Sequence, residues 1–131
     1  MPSRDDYRRF IITPDSATAY HPPRHQATTN LLYLAQGTLG CQSAEIVVGG
    51  PRPGGGGDPH YHDGVEQFVF VLQGQGISEI EGEQFEIGPN TLIYHPPGQL
   101  HRELAVSDDF KVLVIYTPPV GLLQEESFKQ R

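Results

Sequence analysis

Before residue 118 the chain carries almost no apolar spacing of helical period, while short β-branched and aromatic runs recur with Gly or Pro between them. A chain so punctuated cannot build its core from helices. Strands are predicted at 10–12, 31–36, 45–48, 67–72, 77–81, 84–87, 91–95, 102–106 and 111–116. Eight or nine strands of this length fit an all-β closed or double-sheet barrel. The clearest hairpin runs from Ile77 to Ile87, where Gly82 sits in the turn between two alternating segments. The run from Pro51 to Pro59 is expected to be a loop, because Pro offers no amide donor and its four glycines are entropically costly to order. Residues 13–30 are polar and contain Pro, which predicts an irregular arm over the barrel or over a neighbouring subunit. The expected layout is thus an arm over 1–30, a barrel over 31–117 and a tail over 118–131, with one helical turn around Leu122, Leu123 and Phe128.

The segment Gln67-Phe68-Val69-Phe70-Val71-Leu72 sets a second constraint. In a strand covered on one side, outward positions turn polar, yet here Phe68, Phe70 and Leu72 oppose Val69 and Val71. One face fills the barrel and the other needs a cover. A second subunit about a two-fold axis is the simplest cover, so a homodimer is expected; residues 7–30 folding back within one chain are the alternative.

Composition narrows the function classes. Nine Lys and Arg against sixteen Asp and Glu give a net charge of −7, which opposes nonspecific contact with phosphate backbones. Nucleic acid is therefore not an expected partner. Arg4, Arg8 and Arg9 are interrupted by Asp5 and Asp6 and read as a solvated arm. The longest apolar runs are far too short to span a bilayer, so no membrane partner is expected either. With no signal-like start and a single Cys41, which cannot form an internal disulfide, a cytoplasmic setting is expected.

The residues with metal chemistry are histidines. His60 and His62 are two apart, so on a strand both imidazoles project from the same side. Pro96-Pro97-Gly98 makes a tight turn and returns His101 from another direction. Gly54, His60, His62, position 67 and Gly74 follow the spacing of the first cupin motif, with Gln67 where that motif has Glu. The stretch from Gly88 to His101 resembles the second cupin motif, with Pro-x-Gly-x-x-His intact and Ala105 replacing its usual terminal Asn. The chain, over roughly residues 40–117, is thus similar to the cupin superfamily of small single-domain proteins.

That resemblance implies a double-stranded β-helix, or jelly-roll, barrel in which His60, His62 and His101 hold one divalent metal ion per chain. Gln67 is the fourth ligand by position. If the strand has begun by then, Gln67 shares the inward face with Val69 and Val71, and Glu66 points outward; a bulge would bring Glu66 inside instead. Glu103, two residues beyond His101, is a further candidate, since the pirin branch of the cupins uses a His-x-Glu pair. Otherwise Glu66 is a solvated charge and Glu103 a barrel-mouth residue paired with Arg102 or a neighbour. His95 either lines the pocket or sits at the rim; Tyr33, Tyr94 and Tyr116 are expected to pack, and His21 and His25 to face solvent. Imidazole accommodates Zn, Fe, Mn, Ni, Co and Cu, so the ligand set does not select the ion. A neutral set of three imidazoles and an amide would leave the ion's double charge uncompensated and attract an anionic small molecule. The expectation is a metal-dependent enzyme acting on an enolic, phenolic or carboxylate substrate, with dioxygenase chemistry the familiar family use. Isomerase, lyase or hydrolase chemistry could use the same ion, and a noncatalytic binding or sensing module or a metal-handling role are the alternatives.

Overall fold

The computed structural model describes residues 3–20 and 25–122. A single turn of helix, α1 (Arg4–Arg8), precedes nine strands among the described residues: β1 (Thr18–Tyr20), β2 (His25–Leu34), β3 (Glu45–Gly57), β4 (Glu66–Gln73), β5 (Gly76–Ile80), β6 (Glu83–Ile87), β7 (Leu92–His95), β8 (His101–Ala105) and β9 (Lys111–Thr117). All pairings are antiparallel. The strands run in the order β6-β5-β8-β3-β9-β4-β7, with β2 added along β3 and β1 along β2. Strand β3 joins the two walls of this double-sheet barrel. Its first half pairs with β9 from Glu45 to Gly49, and its far end meets β8 at Gly56.

Three local expectations need correction. Residues 10–12 form no strand, and residues 13–30, expected to be irregular, contain β1 and the first part of β2. The Pro-Gly run from residue 51 is strand rather than loop as far as Gly57. Its pairing explains why proline is tolerated: β9 leaves β3 after Gly49, so Pro51 borders only β2, opposite Thr28. Glycine has a steric reason at Gly56, where φ is 143° and a Cβ would lie 2.5 Å from the Glu103 carbonyl oxygen. The tail turn at Leu123 and Phe128 lies outside the described residues.

The hairpin of β5 and β6 closes through Glu81 and Gly82, with φ of 48° and 87°, the twist a two-residue hairpin loop requires. Glu81 tolerates this conformation because Leu100 ties it down: its N–H donates to the Leu100 carbonyl at 2.9 Å, and its carboxylate accepts from the Leu100 N–H at 2.8 Å.

Alternation along β4 sorts the barrel into an inside and an outside. Gln67, Val69 and Val71 are buried, and Val69, Val71, Ile87, Ile93, Ala105, Phe110 and Val112 form an apolar plug. A second packed cluster contains Leu32, Val47, Val65, Tyr116 and Leu122. On the outer face the register lines up two apolar rows across five strands. One is Leu92, Phe70, Leu113, Val48 and Leu31; the other is Tyr94, Phe68, Ile115, Ile46 and Leu34. Leu92 and Tyr94 are exposed, and the others are half-buried. Among the described residues no helix is long and apolar enough to cross a membrane.

Phe110 fits only because β5 starts with a glycine. A Cβ on Gly76 would lie 2.5 Å from the Phe110 ring and 2.7 Å from the Leu104 carbonyl oxygen. Gly76→Ala is therefore expected to lower stability by about 2 kcal/mol or more, as overpacking a close-fitted core does. A urea midpoint unchanged from the parent would show that the plug yields freely.

Candidate metal centre

The turn 96–98 returns the chain so that β8 begins opposite the loop leaving β3. His60 and His101 form an isolated bridge, with His60 N–H donating to the His101 carbonyl at 3.0 Å and His101 N–H to the His60 carbonyl at 2.9 Å. The Gly98 N–H donates to the His62 carbonyl at 2.9 Å and pins the same turn to the second histidine. These backbone bonds place three buried imidazoles together. Their ring centroids are 4.7 Å apart for His60 and His101, 5.1 Å for His60 and His62, and 5.7 Å for His62 and His101. One nitrogen from each lies within 4.8 Å of the others.

The orientation of two rings is set by backbone carbonyls. His60 Nδ1 lies 2.8 Å from the Asp58 carbonyl and His101 Nδ1 2.8 Å from the Gln99 carbonyl. A carbonyl can only accept, so each ring keeps its proton on Nδ1 and leaves Nε2 with a lone pair. The Nε2 atoms of His60 and His62 are buried and take up no hydrogen bond, although both residues are held by other contacts. His101 Nε2 lies 2.8 Å from Gln67 Oε1. Two acceptors facing one another at that distance call for a rotated Gln67 amide or a shared cation. Burial, and then the charge of His95 and the neighbouring His60 and His62, depress the pKa of His101 to about 2 and keep the ring neutral. Three convergent imidazoles, deprotonated at the facing nitrogens, would fit a divalent ion.

The two carboxylate candidates lie elsewhere. Strand β4 has begun by Glu66, whose side chain is exposed on the outer face and accepts the Tyr94 hydroxyl, whereas Gln67 is buried on the inner one. Glu103 faces inward but binds other partners: Ser78 Oγ donates to it at 3.0 Å, and His95 Nε2 lies 3.0 Å from the same oxygen. Neither carboxylate belongs to the group of three. Arg102, expected as a partner of Glu103, instead pairs with Glu79 at 2.9 Å.

His95 is the residue whose importance the sequence understated. It is 1% exposed, so it is no rim residue, and its ring stacks on that of His101 with centroids 3.9 Å apart and planes 10° from parallel. Its Nδ1 lies 2.7 Å from Gln99 Oε1, so Gln99 holds both rings, one by its side chain and one by its backbone. Burial opposes charge on His95, but the Glu103 hydrogen bond and charge, with the Gln99 bond, outweigh it and raise the pKa. Alternation from Ile93 put His95 inside; nothing in the spacing announced Glu103, itself bonded by Ser78, as its partner. Tyr94 lies on the outer face, while Tyr116 meets the His62 ring edge-on at 5.3 Å. His21 lies outside the described residues, and His25 starts β2.

The cupin domain family (Cupin_2) matches residues 51–116, half of the chain, and the chain belongs to that family. By sequence it is similar to the polyketide synthase CurC of Streptomyces cyaneus, 29% identical over 84 residues that cover 64% of this chain and 54% of that protein. The chain spans about half the length of the curated relatives it matches. Its fold is similar to that of the polyketide cyclase RemF from Streptomyces resistomycificus, with a TM-score of 0.69 and 20% identity, covering 90% of this chain and 80% of that one. KdgF from Halomonas sp. gives a TM-score of 0.68 and 21% identity, covering 82% of this chain and 93% of that one.

His95 is buried against the largely covered Glu103 carboxylate, and the loss of one leaves the other uncompensated. Glu103→Ala is expected to destabilise the fold by about 3 kcal/mol, the scale of a broken buried pair. Glu103→Gln, which keeps an acceptor for Ser78, should cost less. Equal urea midpoints for the two variants would contradict this account of the pair.

Proposed function

We propose that this cupin is a metal-dependent enzyme acting on an enolisable or otherwise anionic small molecule, with one divalent ion held by His60, His62, His101 and Gln67. The observation that carries the proposal is the convergence of three imidazole nitrogens in a buried layer, with both carboxylate candidates engaged elsewhere. An ion bound there would supply Lewis-acid chemistry on an enolic, phenolic or carboxylate oxygen. The protein's part is to present three lone pairs and an amide oxygen, none of which offsets positive charge, so an anionic partner is favoured. Carbonyls behind His60 and His101 fix their rings, and the apolar plug at Val69 and Ile93 keeps water from the inner end. A neutral donor set favours oxygen polarisation over the dioxygenase chemistry expected from family habit. The polyketide names of CurC and RemF add support, since chains of ketone groups enolise readily.

The parent chain should bind about one Zn²⁺ per chain in chelator competition, and the His60→Ala/His62→Ala double variant should bind none while staying folded. His101→Ala should weaken binding by more than about 100-fold, beyond the range of outer-shell losses. Gln67→Glu should tighten metal binding and weaken that of an anionic ligand. Incubation of the loaded protein with 1,3-diketone and poly-β-ketone compounds should give turnover without oxygen uptake. Oxygen consumed in step with product would restore the dioxygenase, and tight binding without turnover would leave a binding module.

The outer apolar rows support a homodimer built on β4, β7 and β9. Two rows spanning five strands form a contiguous patch of the kind that marks an interface. Sedimentation equilibrium at micromolar concentration should give about twice 14.5 kDa. Phe70→Glu should return the mass to that of one chain and retain metal; a monomeric parent would refute the dimer.

A further inference from the structure

We infer that Glu45 is a positioning residue for His62: it latches residues 118–122 across one end of the barrel, and that strap braces the Tyr116 and His62 rings. The inference rests on the metal-binding proposal and adds to it a coupling between ion binding and the strap.

Glu45 is a 1% exposed carboxylate at the start of β3. Its Oε1 accepts the N–H groups of Val120 and Gly121, each at 2.7 Å. Its Oε2 accepts those of Leu122 at 3.2 Å and Gln36 at 3.1 Å. One side chain thus receives four backbone donors, three of them consecutive. No salt bridge among the described residues includes it. Burying a carboxylate on amides alone is an expensive way to fix a tail, because removing the charge from water costs more than an apolar contact in the same place. Such a group makes a rigid, directional anchor.

The strap it anchors reaches the histidines by contact. Leu122, 1% exposed, packs in one cluster with Leu32, Val47, Val65 and Tyr116. Val65 lies three residues beyond His62, and the Tyr116 ring meets the His62 ring at 5.3 Å and 84°. Tyr116 is also the cross-strand partner of both Glu45 and Gln67, so the latch, the brace and the amide share one inward row. His60 and His101 have their rings held by the Asp58 and Gln99 carbonyls, and the Tyr116 ring adds an edge-on contact to that of His62. If the strap favours the ring position that binds the ion, the ion must in turn favour the closed strap, because coupling between two binding events is reciprocal.

Hydrogen exchange at the amides of Val120, Gly121 and Leu122, with and without Zn²⁺, tests the idea together with chelator competition. In the parent chain these amides should exchange slowly and slow further, by about tenfold, once zinc is bound. Glu45→Gln and Leu122→Ala should each weaken zinc affinity about tenfold and remove the zinc-dependent slowing. Should Glu45→Gln not fold, Leu122→Ala and the parent's own exchange decide the matter. Zinc bound by the parent without any change at residues 120–122 would overturn the coupling alone, as would variants that melt earlier but keep parental affinity. A parent chain that binds no zinc would overturn the metal centre and the coupling with it.

Discussion

The two backbone hydrogen bonds between His60 and His101 hold the rest of the arrangement in place. They close the barrel where β3 hands the chain to the first histidines, and they set two imidazoles opposite one another. Nothing about the side chains alone would do this. A hydrogen-bonded antiparallel pair fixes the separation and the direction of both Cβ atoms, so one bridge serves as a structural weld and as the frame of the site. The carbonyls of Asp58 and Gln99 then complete the job by fixing the tautomers.

Above the apolar plug, the barrel therefore carries a polar layer in which charge is strictly distributed. His101 is kept neutral by burial and by the positive neighbour stacked on it, while His95 is held toward its charged form by Glu103. Two rings 3.9 Å apart have their pKa values shifted in opposite directions, and His95 is the one that lies against a carboxylate. Glu103 is thus committed to compensating His95. That commitment is why a carboxylate on the inward face, two residues from His101, does not join the three imidazoles.

How much of this could be read from the sequence depends on which physical rule governs each residue. Strand alternation is local, and it fixed the faces of Glu66, Gln67, Val69 and Val71 correctly. The two-residue spacing of His60 and His62, and the turn at Pro96-Pro97-Gly98, are also short-range, which is why the three histidines were legible, although His60 forms an isolated bridge and His62 lies outside the strands. Residues 18–30 were not, because β1 and the first part of β2 are polar and proline-flanked and become strands by pairing, β2 along β3 and β1 along β2. The strand through Pro51 and Pro53 failed for the same reason: whether a missing donor matters depends on which neighbour is present. Gln99 and Glu103 reach His95 from the turn and strand that follow it, while Ser78 reaches Glu103 from β5, and that meeting is a tertiary fact.

A net charge of −7 opposes the approach of an anionic ligand, and the scale of screening resolves the conflict. At physiological ionic strength, exposed charges fade over about 8 Å, so acidic residues such as Glu83 and Glu86 on the outer strand β6 act weakly across the barrel. An ion held in the buried layer would be screened far less, and a donor set of imidazoles and an amide would leave its charge intact at contact distance. Glu103, a carboxylate on the inward face, is paired with His95. The global charge then works to keep phosphate polymers away from the surface, while the proposed site keeps its own local preference for a small anion.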